Sequence, residues 1–279
     1  MRGVVVVIPA RWGSTRFPGK VLAPIAGRPM IQWVHERARE VAKRVIVATD
    51  DERVAVAVRG FGGEVVLTRA DHANGTSRIA EVAESLHEEI VVNVQGDEPG
   101  LEPSLIDAAA AALRSSGRTV PMATIASPFR DDEDPADPNI VKVVVGRNGR
   151  ALYFSRSLIP FARDATRSAT SKGRASGADA AAAPAPPLKH VGLYAYRRRF
   201  LATFTQLEST PLERTEQLEQ LRVLEHGYDI AVAIRDASSH GIDTPEQLKE
   251  FERVVRSRET APNRATPRSP EQPRNRGST

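Results

Sequence analysis

The most constraining feature of the chain is a continuous β-branched run, Val4 to Ile8, which Pro9 ends. A run that is apolar at every position is typical of a parallel strand buried on both faces, so it predicts an α/β fold. The loop beyond it carries glycines and cations, namely Arg11, Gly13, Arg16, Gly19 and Lys20. Ligands of open α/β sheets bind beyond the carboxyl ends of strands, and glycine lets backbone amides approach an anion. The loop therefore predicts a phosphate-binding site, with a basic surface loop as the alternative.

Two common phosphate loops are excluded by the spacing of this one. A Walker A loop needs a second glycine after four residues and then Lys-Ser/Thr, but Pro18 stands in that place and Val21 follows Lys20. A dinucleotide fingerprint needs three glycines spaced G-x-G-x-x-G, which Gly13 and Gly19 do not provide. The loop therefore argues against a P-loop nucleotidase and against a dehydrogenase.

The charge distribution argues against a nucleic-acid-binding protein. The formal net charge of the 279 residues is +4. Two segments of low sequence complexity, 163–187 and 259–279, each carry four basic and two acidic residues and so account for that excess. The remainder is close to neutral, which is not the basic surface that nucleic acid requires. A hydrophobic content of 41% is sufficient for one substantial core.

Several kinds of protein are excluded by what the sequence lacks. There is no cysteine, so neither a disulfide framework nor a thiolate metal site can form. No apolar stretch approaches the roughly 20 residues of a membrane span, and no signal peptide opens the chain. These observations predict a cytoplasmic protein without a membrane partner.

Alternating strand and helix patterns predict a single domain over residues 1–258. The predicted strands are 4–8, 44–49, 64–67, 90–95, 122–127, 141–145, 151–154, 190–196 and 230–234. The predicted helices are 29–42, 50–60, 76–86, 103–114, 212–225 and 244–256. The βαβ rhythm indicates a mainly parallel sheet, and the hairpin around Asn148-Gly149 adds antiparallel strands. Residues 163–187 are predicted to be a disordered insertion and 259–279 a disordered tail.

Asp97 and Asp243 are the candidate metal ligands. Asp97 follows the strand Ile90 to Gln95, and Asp243 precedes Thr244-Pro245 at the start of the last helix. Mg²⁺ prefers one or two carboxylates together with phosphate oxygens and water. An Asx-turn at Asp97 and an ordinary helix start at Asp243 are the structural alternatives.

A series of motifs resembles, in order, those of the 3-deoxy-D-manno-octulosonate (KDO) cytidylyltransferase family. The motifs are ARWGSTRFPGK, TDDERV, TRADHANGTSR, NVQGDEP, ALYFSR, HVGLYAYR, PLERTEQLEQLRVLEHG and GIDTPEQL. The resemblance covers residues 3 to about 256. It implies a Rossmann-like sheet of the nucleotide-diphospho-sugar transferase type and a homodimer. It also implies that CTP and KDO react to give CMP-KDO and pyrophosphate, for lipopolysaccharide biosynthesis.

The resemblance assigns roles at the nucleotide end of the site. The residues that it places on CTP are Ala10, Arg11, Ser14, Lys20, Thr68, Asp71, Gly75 and Thr76. The triphosphate is assigned to Arg11, Ser14 and Lys20, and the segment from Thr68 onward to cytosine and ribose. Lys20, Asp97 and Asp243 are the implied catalytic residues, with the two aspartates holding Mg²⁺. Without the resemblance, residues 71–77 read as a turn and a helix cap.

The resemblance also assigns a sugar pocket that combines cations with acceptors. Its members are Arg78, Gln95, Arg156, His190, Tyr194, Glu216 and Gln220. Arginine recognises a planar carboxylate through paired hydrogen bonds, so Arg78 is expected on the acid group of KDO. Within the predicted helix 212–225, Glu216 and Gln220 are expected to share one face. A structural histidine and a solvated Glu216 are the alternatives.

Two other functions fit the same motifs. One is a cytidylyltransferase for another acid sugar, such as a sialic acid or an amino-substituted KDO. The other is a nucleotide-binding regulator that has lost catalysis, which the presence of both Asp97 and Asp243 disfavours.

Overall fold

The structure is a computed structural model that describes residues 2–13, 17–163, 185–237 and 241–260. Its strands are β1 (Val4–Pro9), β2 (Pro24–Ile25), β3 (Arg28–Pro29), β4 (Val45–Thr49), β5 (Glu64–Leu67), β6 (Ile90–Asn93), β7 (Met122–Pro128), β8 (Lys142–Val145), β9 (Ala151–Ser155), β10 (Leu188–Arg197) and β11 (Ile230–Ile234). Its α-helices are α1 (Met30–Arg39), α2 (Glu52–Gly60), α3 (Gly75–Glu84), α4 (Pro103–Ser115), α5 (Arg198–Phe204), α6 (Pro211–Glu216), α7 (Gln220–Glu225) and α8 (Pro245–Thr260). A single 3-10 turn, Lys20–Leu22, follows the first loop.

The central sheet is mixed and mainly parallel. Its strand order is β11-β7-β10-β6-β1-β4-β5, and the β8–β9 hairpin is attached through β8 to β10. Along this path β10 runs antiparallel to β6 and β7, while the other neighbouring pairs are parallel. Two short strands, β2 and β3, form a separate hairpin. The predicted α/β class, mixed sheet and 141–154 hairpin are thus confirmed.

The apolar run of β1 divides the core into two layers. Val4, Val6 and Ile8 pack into a cluster with α1, α2 and α4, whereas Val5 and Val7 pack into a second cluster with α3, α5 and α7. Successive side chains of a strand point to opposite faces, so a strand between two helical layers needs apolar residues at every position. The sheet therefore places the carboxyl ends of β1 and β6 side by side, where the first loop and Asp97 begin.

Helix α8 brings the end of the described chain back to the first loop. Ile242, just before this helix, packs with Val255 of α8 against Ile25 and Met30. The Ile242 backbone amide also donates to the Asp97 carbonyl at 2.8 Å. Asp243 is fixed by these contacts next to residues more than a hundred positions earlier in the sequence.

The predicted helix 212–225 is wrong, because two short helices replace it. Gln217 adopts a left-handed conformation with φ of 54° and ends α6 before α7 begins. The break allows Glu213 to accept from Arg222 of α7 at 2.8 Å. Glu216 and Gln220 therefore belong to different helices and do not share a face.

Other predicted boundaries also change. Helix α5 was not predicted, and α8 continues to Thr260, two residues into the predicted tail. The rest of that tail, 261–279, and most of the predicted insertion, 164–184, lie outside the described residues. Within the described part of the chain, no helix is long and apolar enough to cross a membrane.

Candidate active site

Two cavities open at the carboxyl ends of β1 and β6. The first cavity has a volume of about 400 Å³ and is lined by residues that include Pro9, Arg11, Lys20, Arg78, Asp97 and Asp243. The second cavity has a volume of about 660 Å³, and its lining includes Asn93, Met122, Arg156, Tyr194, Tyr196 and Gln220. Both are also lined by Gly75, Gln95, Glu219 and Asp243. They therefore form one continuous cleft with two ends.

A cation between two carboxylates marks the first cavity. The Lys20 ammonium pairs with the Asp97 carboxylate and lies 3.0 Å from Asp243 Oδ1. It also donates to the Ile242 carbonyl at 3.3 Å. Burial disfavours the charged ammonium, but the attraction of Asp97 and Asp243 outweighs it and raises the pKa of Lys20. The lysine is therefore charged at neutral pH.

The two carboxylates around Lys20 also fit a divalent cation. They converge on one positive charge from separate loops, which is the arrangement that a metal bound by two aspartates requires. Among the described residues, no group of three or more His, Cys, Asp or Glu side chains could hold a metal by itself. Mg²⁺ is compatible with such a sparse set because phosphate oxygens and water complete its coordination.

The first loop is held by stacking as well as by charge. The Gly19 amide donates to the Trp12 carbonyl at 3.0 Å, and a Cβ at Gly19 would lie 2.8 Å from the Trp12 ring. Arg53 of α2 covers the indole from the protein surface, with its guanidinium carbon 3.6 Å from a ring centroid. Gly19 has φ of 71°, which further favours glycine there. Lys20 follows directly from this packed glycine.

The remaining phosphate-loop residues divide into three cases. Arg11 lines the first cavity, as an anion-binding role requires. Ala10 is buried, and its amide donates to the Ala48 carbonyl at 2.8 Å. Ser14 lies outside the described residues.

The segment assigned to cytosine and ribose runs along one wall of the cleft. Asn74 caps α3 by accepting from the Ser77 amide at 2.8 Å, so the predicted cap is present. Gly75 packs on Pro9 and lines both cavities. Thr76 donates to Glu219 at 2.9 Å and lines the second cavity. Asp71 points outward and pairs with Arg69 at 3.3 Å.

Arg78 lines the first cavity, and of the other proposed sugar residues Gln95 alone lines that cavity too. Its guanidinium is buried and donates to Asp50 at 2.9 Å. It also donates to the Thr68 hydroxyl and to the Arg69 carbonyl. These bonds tie α3 to the residues that follow β4 and β5, which differs from the expected free contact with the carboxylate of KDO.

Four of the other proposed sugar residues line the second cavity. Gln95, Arg156, Tyr194 and Gln220 all line it. The Tyr194 hydroxyl donates to Gln220 Oε1 at 3.2 Å. The Arg156 guanidinium donates to the Glu216 carbonyl at 2.8 Å and to the Pro138 carbonyl at 3.1 Å.

Glu216 and His190 do not line this cavity, but they contact residues that do. The Glu216 carboxylate accepts from the Ser155 hydroxyl at 2.6 Å and from the Arg156 amide at 2.9 Å, so it fixes Arg156. His190 forms a 2.9 Å hydrogen bond with Thr124, and its ring packs between those of Phe154 and Tyr194. Burial lowers the pKa of His190 to about 3, so the imidazole is neutral.

Comparison with known proteins identifies the family of this fold and site. The profile of the family described as Cytidylyltransferase matches residues 5–230. The chain belongs to this family. A 3-deoxy-manno-octulosonate cytidylyltransferase from Syntrophotalea carbinolica is 50% identical over 257 residues, which cover 91% of this chain and 98% of the relative. The enzyme of the same description from Syntrophobacter fumaroxidans is 51% identical over 251 residues, covering 88% and 94%.

Solved structures agree with this assignment. The structure described as CMP:2-keto-3-deoxy-manno-octonic acid synthetase complexed with CTP is 42% identical, with a TM-score of 0.81, and covers 91% of this chain and 99% of that one. A putative glucose-1-phosphate thymidylyltransferase from Bacillus anthracis, 12% identical with a TM-score of 0.59, shares the fold. The chain is thus a nucleotidyltransferase, and the predicted fold of the nucleotide-diphospho-sugar transferase type is confirmed.

The lining residues of this cytidylyltransferase that the sequence analysis missed include Asn93, Tyr196 and Glu219. Burial raises the pKa of Glu219 above its usual range and also that of Tyr196. A signal existed for Asn93, which is the single polar residue in the run Ile90 to Val94. Glu219 is part of the motif EQLEQL, where an unbroken helix would place it away from Thr76. The kink at Gln217 brings it into the cleft.

Proposed function

We propose that the chain transfers CMP from CTP to KDO, which gives CMP-KDO and pyrophosphate. The observation that carries this proposal is the Lys20–Asp97–Asp243 cluster. It lines the first cavity and, through Asp243, also borders the second cavity with its polar residues. A triphosphate fits the first cavity because Arg11 and Lys20 supply positive charge there. An acid sugar fits the second cavity, where Arg156 supplies a cation and Gln95, Tyr194 and Gln220 supply hydrogen bonds.

The reaction needs positioning more than covalent chemistry. The anomeric hydroxyl of KDO attacks the α-phosphorus of CTP: a new O–P bond forms, the bond to the β-phosphate oxygen breaks in line with it, and the hydroxyl proton passes to solvent. Arg11 and Lys20 hold the phosphates and offset the charge of the leaving pyrophosphate. Arg156, fixed by Glu216, orients the sugar. The continuous cleft holds both substrates in the geometry for attack.

Asp97 and Asp243 are the residues that would hold Mg²⁺. When bound, the ion would supply Lewis acidity to the attacking hydroxyl and shield charge on the phosphates. Lys20 neutralises both carboxylates in this structure, so its ammonium would be available to the triphosphate if a divalent cation took its place between them.

Pyrophosphate release tests the proposed function. The purified chain with CTP and Mg²⁺ is assayed with KDO, with amino-substituted KDO, with a sialic acid and with no sugar. We expect release with KDO that depends on CTP and that far exceeds release with the sialic acid. Release with only another acid sugar would reassign the substrate, and no release with any sugar would favour the catalytically inactive regulator.

Homodimer formation, which the resemblance implies, and a cytoplasmic location, which the lack of cysteine and of apolar segments predicts, are further parts of this proposal. Phe161 is 79% exposed and Leu158 is 43% exposed, so they are candidates for a contact between copies. Light scattering on the wild type and on Phe161→Glu would measure the oligomeric state. A monomeric wild type would exclude the dimer, and cell fractionation would test the location.

A further inference from the structure

The end of the second cavity at Asn93 contains a buried acceptor without a partner. Asn93 is the last residue of β6, and only 2% of it is exposed. Its Oδ1 atom has no hydrogen-bond partner among the described residues, although it borders a cavity of about 660 Å³. Leaving a buried amide oxygen unpaired is costly, so such atoms usually indicate a missing partner.

A buried donor without a partner borders the same cavity. Gln220 is 3% exposed, and its Oε1 accepts the Tyr194 hydroxyl at 3.2 Å. Its Nε2 atom has no partner within the described part of the chain. The tyrosine bond fixes the orientation of the amide, so this donor is held in place. Among the described residues, the cavity thus presents one acceptor and one donor without partners.

The chemistry of this pair selects the occupant. A carboxylate can only accept and an ammonium can only donate, whereas a hydroxyl group can do both. Met122 and Phe204 line the same cavity and would contact carbon and hydrogen atoms. A short chain of hydroxyl-bearing carbons therefore matches the lining better than a charged or aromatic group does.

The position of Asn93 identifies which part of the substrate this would be. Asn93 lines the second cavity but is not among the residues that line the first, where Lys20 and Asp97 lie. Asp243 lines both cavities and marks the place where the reacting atoms meet. The group at Asn93 would therefore lie on the side of the second cavity that is not shared with Lys20 and Asp97.

We propose that this end of the second cavity is a subsite for the exocyclic diol of the sugar acid, with Asn93 Oδ1 accepting from one hydroxyl and Gln220 Nε2 donating to a hydroxyl. The inference rests on the proposed function, because it names the part of KDO that the cavity binds. It makes Asn93 a specificity-determining residue.

Asn93→Leu tests the proposal, since it keeps the side-chain size and removes the amide. Each protein is assayed with KDO and with an analogue that lacks the exocyclic diol. For wild type we expect KM for the analogue to be about tenfold or more above KM for KDO, the scale of one or two buried hydrogen bonds. Asn93→Leu should raise KM for KDO by a similar factor, leave KM for CTP unchanged, and discriminate much less between the two sugars.

Val91→Ala is the matched control because Val91 lies on the same face of β6, two residues earlier, and lines neither cavity. It lowers stability through lost packing and should leave both KM values unchanged. If Asn93→Leu does not fold, the wild-type comparison decides, since equal KM values for KDO and the analogue overturn the subsite. An Asn93→Leu enzyme that discriminates as strongly as wild type also overturns it. Failure of the proposed function is distinct, because the wild type would then release no pyrophosphate with KDO.

Discussion

The two ends of the cleft solve the problem of buried polar groups in opposite ways. In the first cavity, charged groups neutralise each other, as Lys20 does with Asp97 and Asp243 and Arg78 does with Asp50. In the second cavity, neutral amide atoms of Asn93 and Gln220 are left without partners. At the first end, Lys20 would have to leave the two aspartates before a divalent cation could bind between them. At the second end, the amide atoms are already available to a ligand.

This difference predicts how each end responds to substitution. Removing a charge from the first cavity leaves its partners buried and uncompensated, so the effects on catalysis should be large. Removing a hydrogen-bonding group from the second cavity costs one ligand contact and should appear mainly in KM for the sugar.

The largest effect is expected for Asp97→Asn. The substitution keeps the shape of the side chain but removes half of the negative charge that the cluster offers to a cation. We expect kcat to fall about a hundredfold or more, the scale of losing a preorganised electrostatic group. Unfolding should stay cooperative, as circular dichroism would show. Unchanged turnover would remove Asp97 from the metal site.

Arg156→Ala and Arg78→Ala should separate the two ends. Loss of Arg156 removes a cation from the second cavity, so KM for KDO should rise about tenfold or more with little change in KM for CTP. Loss of Arg78 releases Thr68 and Asp50, so the larger increase should be in KM for CTP. Steady-state kinetics with each substrate varied in turn measures both. An Arg78→Ala enzyme impaired only toward KDO would restore the role expected from the sequence.

The sequence predicts those parts of the fold that depend on local patterns. The strand at Val4, the helix predicted over 50–60 and the position of Asp97 after a buried strand follow from local sequence patterns alone. The break at Gln217 does not, because a left-handed non-glycine residue is stabilised by distant contacts. The Glu213–Arg222 pair and the bonds of Glu216 to Ser155 and Arg156 supply that stabilisation.

The site shows the same limit. The resemblance brings Lys20, Asp97 and Asp243 forward as a set, but their proximity depends on how α8 packs against β2 and the start of α1. The partners of Arg78 are also unreadable from the sequence, since Asp50 precedes it by 28 residues. Asn93 was missed because its role depends on what surrounds it in the cavity.

The pH dependence of stability tests whether the buried imidazole of His190 is kept uncharged in the folded protein. His190 has a pKa of about 3 in the folded protein, so the unfolded chain takes up a proton first as the pH falls. Its contribution to stability is complete above pH about 6.5 and is lost progressively between about 6.5 and 3. His190→Gln should therefore lose less stability than wild type between pH 7 and pH 5 in urea titrations. Parallel curves for the two proteins would contradict a buried neutral imidazole, and the exposed His226→Gln provides the control.

The smallest effect is expected for Arg53→Ala, which alters the first loop from outside the cavity. Arg53 stacks on Trp12, and Trp12 packs on Gly19 next to Lys20. Loss of an exposed cation–π contact should loosen the loop slightly, and KM for CTP should rise about two- to threefold with KM for KDO unchanged. In a Trp33→Phe background, Trp12 is the remaining tryptophan, so its fluorescence reports CTP binding directly. Arg53→Lys keeps a cation over the ring and should fall between the two. Identical CTP titrations for Arg53→Ala and wild type would show that Trp12 holds the loop without help from Arg53.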